Sequence, residues 1–477
     1  MTPHGIDFGT TTSALVQLLS VGPVTIGDEE GKPLPSIVAI DRATGEAFGG
    51  REAWNRRFEL SEHGNYWVIP SIKPFLASDR QWPTNRKVWG PVDVAAFVFQ
   101  QLAERARKGK AAPITSATVA IPVGMSAESR RQIRRAAARA GIDVEAFVAE
   151  STAAVFRYYA EYRHLHRVAV FDWGGGTLDV SVVEFRRSGI FEIGLGGTAT
   201  AGNAIDREIA LNLHARIMQD RRETRAFDEM DPHDQNELLF RSEELKRRLT
   251  SKADSTVAIG SYGGSPVHIE VTRSSLRPTV LPAVTEAIAL LETTIHRAGL
   301  SVDGVDTILL IGGSSQLWLL REELAADPRF AGRWQLAESP EWDVAHGASL
   351  LSREPGAYAL AETLELKLAD GSRIALARPG DAPGSSERAL SLVLIEDAPE
   401  AHLVIERRRD QAAAVAPALQ FATPTLGFLE EEITLRYGLT RDLTFSAVAA
   451  SGRFSSEGKA HEIEDLRFGY TLHGAQG

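Results

Sequence analysis

Residues Val168 to Val183 read VAVFDWGGGTLDVSVV, and this stretch limits the rest of the chain most. An apolar run, Val168–Phe171, is too short for a free-standing helix and ends in an acid, Asp172. Three glycines and Thr177 follow before a second strand-like run begins. The pattern predicts strand, tight glycine turn, strand. Glycines in such a turn let backbone N–H groups approach an anion closely, because no Cβ stands in the way. Thr177 adds a hydroxyl donor, and Asp172 and Asp179 could hold the metal that accompanies a polyphosphate. Taken alone, the loop is better read as a plain β-hairpin whose glycines only make the turn.

The first residues of the chain repeat the arrangement. Gly5-Ile6-Asp7-Phe8-Gly9-Thr10-Thr11-Thr12-Ser13 runs into Ala14, Leu15 and Val16. A strand end carrying Asp, then glycine and hydroxyls, then another strand therefore occurs twice. Two such hairpins could clamp a phosphate tail from both sides. A third apolar strand, Thr307–Ile311, runs into Gly312-Gly313-Ser314-Ser315, as a nucleotide site at strand ends requires.

With 477 residues the chain can bury a large core and is expected to hold at least two domains. Its formal net charge of −11 argues against an electrostatic nucleic-acid or anionic-membrane binder. No cysteine is present, which excludes a disulfide framework, a thiolate metal site and a cysteine nucleophile. The N-terminus enters strand-like sequence without a basic-then-apolar leader, and no apolar run approaches the ~20 residues that span a bilayer. A soluble, cytoplasmic protein is expected.

Between the glycine loops, Lys73 sits beside an apolar pair in Ser71-Ile72-Lys73-Pro74-Phe75 and is one of only nine lysines. A lone lysine is usually a solvated surface group, so residue physics leaves its role open. Helical periodicity covers Asp93 to Arg107. The strand Ala117–Ile121 stops at Pro122, and a helix follows from an N-cap at Ser126 to a stop at Gly141. Its arginines, Arg130, Arg131, Arg134, Arg135 and Arg139, read either as a phosphate patch or as an ordinary wet face. Glu150 falls at a helix start. Helical sequence fills most of Ala204 to Thr250, where Glu243, Lys246, Arg247 and Thr250 share one polar face. That face is either a salt-bridged surface or a wall for a ribose and base. A long helix covers Val284, Ile288, Leu291 and Ile295. Beyond Ser352 the pattern changes to short alternating segments, predicting a separate all-β module, with Gln411 to Thr425 expected as a loop inside it.

Taken in order, these motifs resemble the DnaK-type family of seventy-kilodalton heat-shock chaperones, within the actin-like ATPase superfamily. GIDFGTTTS and VFDWGGGTLDVS look like the family's two phosphate loops, and ILLIGGSS like its adenosine loop. AIPVGMSAESRR resembles the segment that relays nucleotide state, VAESTAA the one bearing the catalytic glutamate, and SEELKRRLTS the adenine-facing helix. The resemblance implies an α/β actin-like ATPase fold of two duplicated lobes over residues 1–352, a linker at 353–363, and a small all-β sandwich over 364–477. It implies ATP or ADP with Mg²⁺ as ligands. Asp7 and Asp172 would hold the metal mostly through water. Gly9, Thr10, Thr11, Thr12, Gly174, Gly175, Gly176 and Thr177 would contact phosphates. Lys73 would position the attacking water, with Glu150, Asp172, Asp179 and Thr177 around it. Gly202, Glu243, Lys246, Arg247, Thr250, Gly312, Gly313, Ser314, Gln316 and Glu341 would surround the nucleoside, and Pro122 with Arg130 would couple it to the second domain.

Some residues depart from the family pattern. Gln316 stands where an arginine usually stacks on the adenine, which removes one cationic face of the base sandwich. Ser151 replaces the usual proline after the glutamate, and Trp173 replaces an aliphatic residue. Tyr358-Ala359-Leu360-Ala361-Glu362 is less apolar than the usual linker. The first hairpin of the module, LELKLADGSRIAL, is too short for the usual peptide-arching loop, and the chain after Ser451 is too short for a helical lid.

The function this implies is slow hydrolysis of ATP to ADP and phosphate by a lidless, chaperone-like protein. Its nucleotide state would control a β module that binds a polypeptide client or a dedicated folded partner, with a co-chaperone or nucleotide exchange factor as further partners and neither nucleic acid nor membrane. A regulatory or filament-forming actin-like ATPase is the alternative. A small-molecule kinase of the same superfamily is less favoured, because the SEELKRRLTS helix points to the chaperone branch.

Overall fold

The computed structural model describes residues 3–62, 64–109, 112–122, 124–186, 189–408, 415–451 and 458–471. The two acid-bearing hairpins lie at the centres of two sheets built to one plan. In the first sheet, His4–Phe8 pairs antiparallel with Thr12–Leu19 and parallel with Ser116–Ile121, which lies parallel to Asp143–Ala149. In the second, Arg167–Trp173 pairs antiparallel with Leu178–Arg186 and parallel with Thr307–Ile311, which lies parallel to Trp334–Leu336. A third antiparallel strand, Gly22–Thr25 in one sheet and Gly189–Thr198 in the other, completes the correspondence. The repeat seen in the sequence is thus a repeat of sheet topology.

Parallel neighbours need crossovers. Helix Ala127–Arg139 supplies one and helix Trp318–Ala326 the other. The first begins where Ser126 accepts the N–H of Ser129 at 3.2 Å and gives way to Gly141 in the left-handed region, φ 79°. Strands covered on both faces are near-continuous apolar runs, and Val168–Phe171 and Ile308–Ile311 are inaccessible to solvent or nearly so. The helical stretch between Ala204 and Thr250 is two helices, Gly202–Arg221 and Pro232–Ser251. The long helix runs over Arg273–Arg297, beginning at a Thr272 cap with its buried face starting at Leu276 and Val280, ahead of the positions read from the sequence, and carrying Pro278 and Pro282 within it.

Helix Glu150–Arg157 follows the first sheet and helix Asp343–Leu351 the second, and the two cross at Gly347. A Cβ there would lie 1.7 Å from the Ala153 carbonyl oxygen, and one at Gly5 would lie 2.2 Å from the Ser349 nitrogen. Only glycine lets the two halves meet this closely.

Downstream lie two four-stranded antiparallel sheets. One is ordered Arg373–Ala377, Thr363–Lys367, Glu400–Arg408, Val415–Pro424; the other Arg388–Val393, Glu432–Leu439, Phe445–Ser451, His461–Ile463. They meet where the Thr423 hydroxyl donates to the Ala449 carbonyl at 2.9 Å and Phe421 stacks on His461 at 4.3 Å. The expected loop at Gln411 to Thr425 is corrected: Val415–Pro424 is a strand, while residues 411–414 lie outside the described residues. Pro417 and Pro424 are tolerated because this is an edge strand, where a missing N–H costs no ladder bond.

The module is joined to the rest at both ends. Tyr358–Leu360, within the expected linker, and Phe468–Thr471, beyond the module's last strand, both extend the seven-stranded sheet. Phe468–Thr471 pairs with Gly189–Phe191 on one side and with Tyr358–Leu360 on the other. Gly469 makes this possible, since a Cβ there would meet the Phe191 ring at 2.5 Å. One apolar core runs unbroken from Ile6 and Val119 through Tyr358 and Phe468 to Leu366, Ile405 and Phe445. Among the described residues no helix is long and apolar enough to cross a membrane.

Candidate active site

The two hairpin turns meet tip to tip. A Cβ on Gly175 would lie 2.3 Å from Thr11 Oγ1, and one on Gly176 would lie 2.4 Å from Thr10 Cγ2. These glycines are required by the contact between the loops. Gly9 is required too, because its Cβ would fall 2.2 Å from the Thr12 carbonyl oxygen. The first turn is pinned from behind: Ser36 Oγ donates to the Gly9 carbonyl at 2.9 Å, and the Ser36 N–H to that of Thr11 at 2.9 Å. The second is closed by the Gly174 N–H on the Thr177 carbonyl at 3.0 Å.

Helix Gly202–Arg221 starts on the second turn. The Gly202 and Asn203 N–H groups donate to the carbonyls of Gly174 and Gly175 at 3.1 and 2.8 Å. Ser314 Oγ also donates to the Gly174 carbonyl, at 2.8 Å, which brings the third glycine loop to the same place. Gly312 sits in the left-handed region at φ 79°, and a Cβ there would lie 2.6 Å from Asp172 Oδ1. All three glycine motifs read from the sequence thus converge on one cleft.

Beneath the hairpins lies a buried charge cluster. Lys73 Nζ donates to Glu150 Oε1 at 2.9 Å, and each side chain is 9% exposed. Burial and the nearby Glu150 charge push the Asp7 carboxyl up to about 7, while Lys73 opposes the rise. Burial and Glu150 push Asp179 up to about 7 as well, against a hydrogen bond from Thr177. Asp172 is raised well above the ordinary carboxyl range by burial and by Glu150, Asp179 and Asp7. Burial works against the Lys73 ammonium, but Glu150, Asp7 and Asp179 hold its pKa above the usual value. Four carboxyls therefore share one ammonium. Among the described residues no three His, Cys, Asp or Glu side chains converge closely enough to ligate a bare metal ion.

On the opposite wall, Lys246 Nζ lies 2.7 Å from Asp206 Oδ1 and donates to the Gly202 carbonyl at 3.1 Å, which ties helix Pro232–Ser251 to the second turn. Glu243 and Arg247 form an i,i+4 pair at 3.8 Å. Thr250 anchors the end of this wall, its carbonyl accepting from Arg273 and Arg321, both at 3.0 Å. Gly313 is exposed, Ser314 buried, and Gln316 half-buried at the end of the turn Gly313–Gln316. Glu341 is exposed, just ahead of helix Asp343–Leu351. Trp173 is fully buried, edge-on to Phe171 with ring centroids 5.8 Å apart, and its indole N–H has no partner.

Sequence reasoning missed Arg57. From helix Gly50–Glu62 it reaches across the mouth of the cleft, its guanidinium carbon 4.0 Å from the Trp54 ring centroid and 4.3 Å from that of Phe240. Burial lowers its pKa to about 10, with Glu243 opposing. No motif marks this residue, because its partners lie on a helix from the other half.

The helix arginines are neither a phosphate patch nor wholly a wet face. Arg130 is buried and donates to the Asp442 carbonyl at 2.6 Å. Arg134 bonds the Asp442 carboxylate at 2.8 Å, and Arg131 lies 3.0 Å from Glu462. Three of the five therefore face the β module, while Arg135 and Arg139 are exposed. Pro122, just upstream, is buried.

A family model described as "Hsp70 protein" matches residues 78–351. The chain is 26% identical over 378 residues to the "Chaperone protein HscA homolog" of Shewanella sp. (strain MR-4), covering 72% of this chain and 57% of that relative. It is 27% identical over 370 residues to the HscA homolog of Shewanella piezotolerans (strain WP3 / JCM 13877), with the same coverage. It is 26% identical over 336 residues to that of Acidithiobacillus ferrooxidans (strain ATCC 53993 / BNL-5-31), covering 66% of this chain and 53% of the relative. The chain thus spans little more than half the length of these relatives. With a family match over more than half of its residues and three glycine loops meeting at one buried charge cluster, the chain belongs to the Hsp70 protein family.

Proposed function

We propose that this chain is a Mg²⁺-dependent ATPase of chaperone type, with the nucleotide-binding part in residues 1–352, a linker at 353–363 and a β-sandwich partner-binding module in 364–477. The observation that carries the reading is the pair of glycine hairpins meeting over four carboxyls and one ammonium. Three of those carboxyls are raised, so the cluster has more negative charge than it can hold unassisted. That imbalance fits a hydrated divalent cation, and Mg²⁺ characteristically keeps its waters and borrows oxygens from phosphates. Asp7 and Asp172 would hold it through water. When bound, it supplies charge neutralisation at the phosphates.

The chain's own residues do the rest by positioning. Backbone N–H groups of Thr10, Thr11 and Gly175–Thr177 cradle phosphate oxygens across the turn that Gly174 closes, and the start of helix Gly202–Arg221 adds its dipole nearby. Lys73, held by Glu150, orients the attacking water, and Asp179 accepts from the same water network. Glu243, Lys246, Arg247, Ser314 and Gln316 enclose the nucleoside. Glu341, exposed just ahead of helix Asp343–Leu351, joins them.

For the module, recognition of a folded polypeptide partner is favoured over an arched peptide. Five of the ten exposed large hydrophobic side chains among the described residues, Val393, Ile395, Leu426, Phe428 and Leu429, gather at one end of it. The two segments are stitched by Leu394 N–H to the Glu431 carbonyl and Glu430 N–H to the Leu394 carbonyl, both 3.0 Å. A co-chaperone or exchange factor acting on the nucleotide-binding part belongs to the same reading. The test is binding of a fluorescent unfolded peptide with ATP and with ADP. Weak, fast exchange is expected, and slow release over minutes in ADP would refute the preference for a folded partner.

A further inference from the structure

Helix Glu150–Arg157 is short and poorly anchored by its own sequence. Its N-cap, Ala149, offers no side-chain acceptor, and eight residues are too few to hold a helix start by propensity alone. The position of Glu150, its first residue, is therefore set from outside. Lys73 is one anchor. The others come from strands of the seven-stranded sheet.

Tyr358, fully buried on the strand Tyr358–Leu360, accepts the Ala149 N–H on its hydroxyl at 3.4 Å. Ser151 Oγ and Thr152 Oγ1 donate in turn to the carboxylate of Glu192, buried in the strand Gly189–Thr198, the first at 3.3 Å. The residue before Glu150 and the two after it are thus each gripped from outside the helix. Tyr358 is itself fixed, opposite Tyr470 in the ladder and stacked on Phe468 at 5.8 Å.

We propose that Tyr358 is a positioning residue for Glu150: its hydroxyl seats the turn that launches the glutamate, and the two strands flanking the β module hold that hydroxyl in place. The proposal rests on the reading of Glu150 and Lys73 as hydrolysis residues. Through this contact the module's attachment becomes part of the hydrolytic site. Ser151 acquires a role as well: a proline there would have no hydroxyl for Glu192.

The full chain with Tyr358→Phe tests the proposal, since it deletes one oxygen and keeps the stacked ring. The expected result is about a tenfold loss in kcat for Mg-ATP hydrolysis with KM within about twofold, the signature of a lost alignment rather than lost binding. Amide exchange at Ala149 and Glu150 should quicken while the thermal midpoint stays close to the parent's. Thr152→Val, which frees the same turn from Glu192, should lower kcat similarly, and the double variant should fall no further than either single one, because both loosen the one turn that launches Glu150. A kcat within about twofold of an active parent, or additive losses, would overturn the proposal. A parent that binds Mg-ATP but releases no phosphate would overturn the ATPase reading instead. Unchanged exchange at Ala149 in Tyr358→Phe would then overturn the contact as well.

Discussion

Lys73 Nζ lies 2.9 Å from Glu150 Oε1 in a cleft where both side chains are nine-tenths buried. The pair joins residues 77 apart in the sequence, and Lys73 is the cation that faces Asp7, Glu150, Asp172 and Asp179. Such a pair is weak evidence of stability, because desolvation offsets the attraction. Its location beneath two phosphate-type turns makes alignment of a water the better account.

Lys73→Ala should accordingly spare nucleotide binding and remove most hydrolysis. Removing the ammonium also raises Asp7 and Asp179 further, since Lys73 lowers both. Single-turnover phosphate release with pre-bound Mg-ATP separates the two effects. A variant that turned over at the parent rate would make Lys73 purely structural.

The raised carboxyls give the ligand-free protein a pH signature. Asp7 and Asp179 move from 3.8 to about 7, and Glu192 from 4.5 to about 7. Between those values the native chain keeps protons that the unfolded chain has released. Their contribution to stability is therefore unfavourable and grows as pH rises from about 4 to about 7. Asp7→Asn should flatten this slope, read as the difference in thermal midpoint between variant and parent across that range. Mg²⁺ with nucleotide should stabilise the parent more at pH 8 than at pH 6, because binding needs ionised carboxyls. A parent-minus-variant difference that is flat with pH would contradict the burial of Asp7.

Arg57, sandwiched between Trp54 and Phe240, closes the mouth of the cleft from the opposite half. A desolvated cation–π contact contributes about 2 kcal/mol, so Arg57→Ala should speed release of a fluorescent nucleotide by about tenfold or more. Stopped-flow displacement measures this directly. An unchanged off-rate would mean that nucleotide leaves by another route.

Much of this architecture is legible in the sequence because its signals are local. Asp7-Phe8-Gly9-Thr10 and Asp172 to Thr177 announce glycine turns, where backbone and neighbouring loop approach too closely for a side chain, and Ser126 and Gly141 mark the ends of a helix by capping chemistry. What stays hidden is pairing across the chain. Residue physics leaves Lys73 open, and only the family resemblance puts it with Glu150; the ion pair itself is seen in the fold. Arg130, Arg131 and Arg134 sit on a helix whose charges look solvated, yet they face Asp442 and Glu462 more than three hundred residues later. The strand at 415–424 is disguised by prolines that an edge permits. The return of Phe468–Thr471 to a sheet begun by Arg167–Trp173 leaves no trace in periodicity.

The central claim is that the three glycine loops and the carboxyl cluster form a Mg-ATP site. Isothermal titration of the full chain with ATP, with and without Mg²⁺, tests it most directly. The account predicts saturable binding that weakens sharply when Mg²⁺ is withheld and is further weakened by Asp7→Asn. No heat of binding at high micromolar protein, or binding indifferent to both Mg²⁺ and Asp7, would contradict it.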